Sequence, residues 1–342
     1  MGNTLLSLGF SDIYLVENPS ECCFKERSES LTLLEFDNAF YGELRSFYQY
    51  LLGKSSDEHE GSISMLWPIA HPGSRVEQMR LRVTNLVGSN GQIVFYIRRY
   101  RQGVASLAQL GVPKPIIERL LSDQLTQGLV ILAGKAGSGK TTLANSLICS
   151  RLERWGGVCV TAENPVELEI SGRHGAGLCF AHEVGGDDEM ATAVINFMRT
   201  SSNIIFLGEI RDAAVAREAV LAALSGQLVV TTFHGPSIVG ALSRFAGFIG
   251  DNNLLADALS TVAFLELCEN KDQKELFNLK HQSRPATENG IACRDGKKLM
   301  IDLLWFLASE GAALSSMIRS GNFAMLSSEL TRQRNLMIQS RN

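Results

Sequence analysis

Gly128-Leu129-Val130-Ile131-Leu132-Ala133-Gly134-Lys135-Ala136-Gly137-Ser138-Gly139-Lys140-Thr141 is the stretch that decides how this chain folds. Its first half is a short apolar run, and its second half fits Gly-x-x-x-x-Gly-Lys-[Ser/Thr] without a mismatch. That order predicts a buried strand, a glycine-rich turn and the start of a helix. Glycines let backbone N–H groups curl around phosphate oxygens, and the helix N-terminus that follows adds positive partial charge. The expected phosphate-binding set is therefore Gly134, Ala136, Gly137, Ser138, Gly139, Lys140, Thr141 and Thr142. Within it Lys140 should reach the β- and γ-phosphates, and Thr141 should ligate Mg²⁺.

Apolar runs of the same kind recur at Gly157–Thr161 (GVCVT), Ile204–Leu207 (IIFL) and Leu228–Thr232 (LVVTT). Segments with helical spacing go with them, at Thr141–Arg154, Ala213–Leu224 and Ser237–Phe248. Buried strands alternating with helices argue for a parallel sheet covered on both faces. Upstream the pattern changes. Ser11–Val16, Leu31–Phe36, Met79–Leu86 and Gln92–Arg98 read as strands, with a helix around Phe40–Leu51 and a polar loop at Ser55–Ser62. This predicts a smaller α+β domain over residues 1–102, a linker over 103–115 with two prolines and two glycines, and the nucleotide-binding domain over 116–342. Asn270–Lys297 is polar and aperiodic and reads as a long loop, and a mostly helical end is expected from Leu303.

Composition narrows the class. The 342 residues are 45% hydrophobic and 20% charged with a net charge of −4, which is globular usage and not that of a basic nucleic-acid binder. No direct reading of nucleic acid is expected. The first Lys or Arg is Lys25, so the charged start of a signal peptide is not expected, and no apolar run approaches the roughly 20 residues that span a bilayer. The expected location is the cytoplasm, with membrane association only through partners. Cysteines at 22, 23, 149, 159, 179, 268 and 293 form no Cys-x-x-Cys pair and are expected to be reduced thiols.

Two further parts of a hydrolytic site are visible. The run Ile204–Leu207 ends in Gly208-Glu209, which puts a carboxylate at the carboxyl end of a central strand, beside the phosphate loop. From there it can orient or deprotonate an attacking water. Thr232-Phe233-His234 ends the next strand, where His234 could sense the γ-phosphate. The guanine-reading Asn-Lys-x-Asp is absent, since Asn270-Lys271-Asp272-Gln273 carries its Asp one position early, and ATP is the expected nucleotide.

Taken together, these segments resemble the PilT family within the wider class of type II and type IV secretion ATPases. Glu163-Asn164-Pro165-Val166-Glu167 resembles that family's acidic box, Gly208-Glu209-Ile210-Arg211-Asp212 its Walker B segment, and Thr232-Phe233-His234 its His box. Ser225-Gly226-Gln227-Leu228-Val229 corresponds to the usual Thr-Gly-His-Leu-Val. Further out, Ser11-Asp12-Ile13-Tyr14-Leu15 and Arg80-Leu81-Arg82-Val83 resemble strands of the N-terminal PAS-like domain. Leu107-Ala108-Gln109-Leu110-Gly111 resembles the end of the linker, and Met317-Ile318-Arg319-Ser320-Gly321 the C-terminal Ile-Arg-x-Gly element. The length suits a PilT-like protein without the added N-terminal domain of the extension ATPases. Asn164 and Asn203 stand where the family usually has Asp, and His182 and Ile195 where Arg is common, while Arg199 is kept.

The resemblance implies an N-terminal PAS-like α+β domain joined to a RecA-like P-loop ATPase domain with a helical C-terminal end. It implies a homohexamer that hydrolyses ATP with Mg²⁺ and works on an inner-membrane platform protein, reached from the cytoplasmic face. Glu163, Glu167, Glu209 and His234 are the implied catalytic residues. Arg98, just before the linker, is the implied arginine acting on nucleotide held by a neighbouring subunit. Withdrawal or disassembly of pilin is the first expectation. A DotB-like energiser of a type IV secretion or conjugation system is an alternative, as is a weakly hydrolysing regulator. The surviving carboxylates leave hydrolysis expected, and the departures bear on its rate or on its need for a partner.

Overall fold

The computed structural model describes residues 10–25, 31–32, 38–55, 62–69, 77–100, 103–269 and 297–339. The chain divides into two compact units, Met1–Gln102 and Gly103–Asn342.

The first unit is an antiparallel sheet with one long helix. Its strands are β1 (Asp12–Leu15), β2 (Cys23–Lys25), β3 (Leu31–Thr32), β4 (Ser62–Ile69), β5 (Glu77–Val87) and β6 (Ile93–Arg99), arranged β3-β2-β1-β6-β5-β4. Helix α1 spans Asn38–Ser55. Alternation along the strands sends Ile13, Leu15, Phe24, Leu81, Val83, Phe95 and Ile97 to one face. There they meet Phe40, Leu44, Phe47, Tyr48 and Leu51, which recur at helical spacing along α1. The residues between them, Asp12, Tyr14, Tyr96 and Arg98, share the other face, where Asp12 lies opposite Arg98 and Tyr14 opposite Tyr96. This is the expected α+β architecture. Of the expected strand Leu31–Phe36 only Leu31–Thr32 lies within the described residues. Of the expected Ser55–Ser62 loop the ends belong to α1 and β4, and the interior lies outside the described residues.

The second unit is built on an eight-stranded sheet. In chain order its elements begin with α2 (Lys114–Leu120), β7 (Gly128–Gly134), α3 (Lys140–Trp155), β8 (Val158–Glu163), β9 (Gly172–His174), β10 (Gly177–Glu183), α4 (Asp187–Phe197) and β11 (Ile204–Leu207). They continue with α5 (Ala213–Leu224), β12 (Leu228–His234), α6 (Ile238–Ile249), α7 (Asn252–Ala258), β13 (Leu259–Glu269) and β14 (Lys297–Trp305). Two helices close the unit, α8 (Ala308–Arg319) and α9 (Leu326–Gln339). The strand order is β14-β13-β7-β12-β11-β8-β10-β9, parallel from β13 to β10 and antiparallel at both edges. Strand β7 shows why the sheet is buried on both sides. Leu129, Ile131 and Ala133 enter one core with α4, α5, α6 and α7, while Val130 and Leu132 enter another with α2 and α3.

Residues 103–115 pack with the second unit. Leu107 and Val112 lie in the α3-side core, and Ser146 Oγ donates to Ala105 O at 2.7 Å. Buried Arg151 of α3 donates to the carbonyls of Leu120, Ser122 and Leu125, tying the approach to β7 to the helix behind it. The helical end begins at Ala308 and not at Leu303, because Leu303-Leu304-Trp305 completes β14. A short wholly apolar run reads equally well as buried strand or buried helix, and here pairing with β13 decides it. The expected loop Asn270–Lys297 lies outside the described residues except Lys297, which opens β14. Among the described residues no helix is long and apolar enough to cross a membrane.

Candidate active site

The glycine-rich turn follows β7 as its spacing predicts. Gly134 has φ +155°, and a Cβ there would stand 2.5 Å from Leu265 O and 2.6 Å from Ser138 Oγ, so only glycine fits. Gly139 caps α3 in the left-handed region at φ +89° and supplies no side-chain hydrogen bond to the helix start. By contrast α5, α6 and α7 begin under the side chains of Asp212, Ser237 and Asp251. The first amides of α3 therefore remain available to an anion. Ser138 Oγ is buried with no hydrogen-bond partner among the described residues. A buried orphan hydroxyl is costly unless a ligand supplies its partner, and a phosphate oxygen would do so. Lys140 Nζ donates to Lys135 O at 2.9 Å. Burial pushes the Lys140 ammonium below the ordinary lysine range, with Glu209 and Glu167 pulling it back up.

The acidic groups lie where the parallel strands end. Glu163 closes β8, is 1% exposed, and accepts from Thr161 Oγ1 at 2.8 Å. Glu167 is exposed four residues on, beyond the buried Val166. Glu209 follows β11, and its carboxylate is held on both oxygens. His234 Nε2 lies 2.9 Å from Oε1, and Arg211 Nε lies 3.0 Å from Oε2. Glu209 is expected beside the phosphate loop, and its charge acts on Lys140 of that loop from one strand away. β12 pairs with both β7 and β11 and so stands between them, because helix crossovers order this sheet non-sequentially. His234, directly opposite Gly134, is the residue that bridges them.

Glu163, Glu209 and His234 thus lie at the carboxyl ends of central parallel strands, with Glu167 just beyond β8 and Lys140, Thr141 and Thr142 in the first turn of α3. Arg98 belongs to the other unit. Its Nε donates to Asp12 Oδ1 at 2.7 Å, one terminal nitrogen donates to Tyr96 Oη at 2.6 Å, and its side chain is 60% exposed. Asp12 is buried, which pushes its carboxyl up, but hydrogen bonds from Tyr96, Arg98 and Ser11 outweigh burial and leave it below the ordinary value. Sequence reasoning missed Arg211, Thr232 and Asp12 as partners of site residues. All three lie inside segments already singled out, so their position was a signal, but their bonding was not.

Of the departures noted above, Asn203 has a structural use, since its Oδ1 accepts from Val158 N at 2.9 Å. His182 packs against Phe197 with ring centroids 5.4 Å apart, and Ile195 stands on α4 with 37% exposure.

The model of the family described as "Type II/IV secretion system protein" matches residues 74–339. The chain belongs to that family. The protein is 38% identical over 121 residues to the type IV pilus assembly ATPase PilB of Myxococcus xanthus, covering 34% of this chain and 20% of that protein. It is 29% identical over 173 residues to type II secretion system protein E of Pseudomonas aeruginosa, covering 49% and 33%. To the competence protein ComGA of Bacillus subtilis it is 31% identical over 198 residues, covering 56% and 53%. The matched part thus spans between a fifth and about half the length of these relatives. Among solved structures, the pilus retraction motor PilT with bound ADP superposes with a TM-score of 0.68 at 20% identity, covering 94% of this chain and 86% of that one. The Legionella pneumophila ATPase DotB gives 0.64 at 19%, covering 98% and 89%. At these identities the likeness is one of fold.

Proposed function

We propose that the protein is an ATP-hydrolysing motor subunit of a type IV pilus or a related secretion machine, with pilus retraction as its task. One observation carries the hydrolytic part. A carboxylate held on both oxygens, Glu209, lies within electrostatic reach of the phosphate-loop lysine, Lys140. Lys140 and the α3 amides would hold the β- and γ-phosphates, and Glu209 would orient the attacking water. Mg²⁺ binds through few protein oxygens plus substrate phosphates, and the hydroxyl of Thr141 with the carboxylates of Glu163 and Glu209 is a donor set of that kind. Bound there, the ion would neutralise phosphate charge.

The working assembly in this reading is a homohexamer in which Arg98 serves nucleotide held by the next subunit. It would dock from the cytoplasmic side on an inner-membrane platform protein. Retraction is supported by the PilT-like segments Ser11–Leu15 and Met317–Gly321 in the sequence. A second reading, a DotB-like ATPase energising a secretion or conjugation system, is favoured by the match to type II secretion system protein E. Asn164 in place of the usual acidic-box Asp favours a slower, regulatory enzyme.

Glu209→Gln keeps size and removes basicity, so ATP should bind within about twofold of wild type while kcat falls roughly 100-fold. Equilibrium binding and steady-state hydrolysis measure the two. A kcat within a few-fold of wild type would move the role to Glu163 or Glu167. Deleting the protein in its host separates the tasks: retraction predicts accumulated, immobile pili, and secretion predicts lost export with pili unchanged.

A further inference from the structure

Glu209 is gripped at more points than its own side chain. Both peptide groups that flank it are bound to one residue of β12. Thr232 Oγ1 donates to Gly208 O at 2.6 Å, and Ile210 N donates to Thr232 O at 3.2 Å. Two residues further along the same strand, His234 Nε2 reaches Oε1, while Arg211 closes on Oε2 from the turn before α5. That turn is itself fixed, because Asp212 caps α5 through Val215 N at 2.9 Å. The carboxylate's position is thus set by β12 on one side and by a capped helix start on the other.

We infer that Thr232 and Arg211 are positioning residues for Glu209: Thr232 pins its backbone and Arg211 its Oε2, while His234 fixes Oε1. The inference deepens the hydrolytic reading and rests on it, since it matters only if Glu209 directs the water. The ordinary alternative for Thr232 is that its hydroxyl merely satisfies a buried carbonyl, with its methyl filling core. For Arg211, 54% exposed at the side chain, the alternative is a loose surface ion pair of little consequence. Geometry separates these from a positioning role. A general base tolerates little displacement, and misplacement by about 1 Å costs up to roughly 100-fold in rate. Thr232 is 2% exposed and its hydroxyl bond is short, so its geometry is well determined by its surroundings.

The test uses the full chain and steady-state ATP hydrolysis. Thr232→Val keeps the shape and deletes the hydroxyl, whereas Thr232→Ser keeps the hydroxyl and deletes the methyl. The expected result is a kcat lowered about tenfold in Thr232→Val and near wild type in Thr232→Ser, with KM for ATP within about twofold in both. Arg211→Gln, at an exposed site that should not threaten folding, should lower kcat by a similar factor. Neither Thr232→Val nor Arg211→Gln should slow Glu209→Gln further, because each acts through that carboxylate. Wild-type kcat in both Thr232→Val and Arg211→Gln would overturn the inference. So would equal impairment of the Val and Ser variants, or full additivity with Glu209→Gln, since a packing role produces those results. Wild-type turnover in Glu209→Gln itself would instead sink the assignment of Glu209, a failure distinct from the others.

Discussion

Lys140, the proposed phosphate-binding lysine, is kept at a cost to stability. Its stem lies in the first turn of α3 with 7% of the residue exposed, and its ammonium is held by one loop carbonyl. A buried cation is costly unless fully compensated. The cost appears as a proton affinity lowered by burial and only partly restored by Glu209 and Glu167. The sign of the pH dependence follows. Between the lowered folded value and the ordinary lysine value of about 10.4, the unfolded chain holds the proton that the folded chain has released. Stability contributed by this site therefore rises with pH across that window, and below it the full penalty is present. Lys140→Met keeps the length and removes the charge. It should abolish ATP turnover while unfolding at equal or higher denaturant than wild type near neutral pH, with its advantage shrinking as pH rises through the window. A Met variant less stable than wild type at every pH would mean that the ammonium is a net structural asset.

The C-terminal helices separate into parts that hold the fold and parts open to other use. Ile318 is fully buried in the core beneath α4 to α7, and Gln333 of α9 is fully buried, its amide joined to both the N–H and the C=O of Trp305 at the end of β14. Arg319 sits in the same Ile-Arg-Ser-Gly stretch but is about half exposed and pairs with Asp257 of α7. Replacing the whole segment 317–321 would thus confuse core loss with functional loss. Ile318→Ala should cost about 2 to 5 kcal/mol in denaturant melts. Arg319→Ala should cost no more than about 1 kcal/mol and leave hydrolysis intact. If Arg319→Ala nevertheless stops pilus or secretion activity in cells, the exposed side of α8 contacts the machine. Wild-type behaviour in cells would leave the segment a structural one.

At the scale of the assembly, the expectation rests on Arg98. Its guanidinium is oriented by Asp12 and Tyr96, which use two of its five N–H donors while the side chain stays largely exposed. An arginine pre-set in this way loses little freedom on meeting a phosphate. If it serves nucleotide on a neighbouring subunit, Arg98→Ala and Lys140→Ala proteins should each be nearly inactive, as arginine fingers contribute about 10³ to 10⁵ in rate. Rings reassembled from a mixture would contain boundaries with both residues intact, and turnover should partly return. Mixed rings as inactive as either parent, under conditions of demonstrated subunit exchange, would confine Arg98 to its own subunit or to holding Asp12.

Where the proposed site draws on residues contiguous in the chain, the sequence by itself pointed to them. The phosphate loop, Glu209, His234 and the acidic box are short motifs at strand ends, and their chemistry follows from residue type and from the strand or helix beside them. The alternation of buried runs with helices was enough to give a parallel sheet covered on both faces. Only the tertiary structure decided the rest. Strand order placed β12 between β7 and β11, so that Thr232 and His234, and not the loop itself, are what Glu209 leans on. Asp12 meets Arg98 across 86 residues of chain, a pairing set by strand register and not by local spacing. Leu303–Trp305 became strand because β13 was there to pair with it. The physical reason is common to these cases: local propensity and motif spacing act within a turn or a strand, whereas hydrogen-bond partners across a sheet are chosen by packing of the whole.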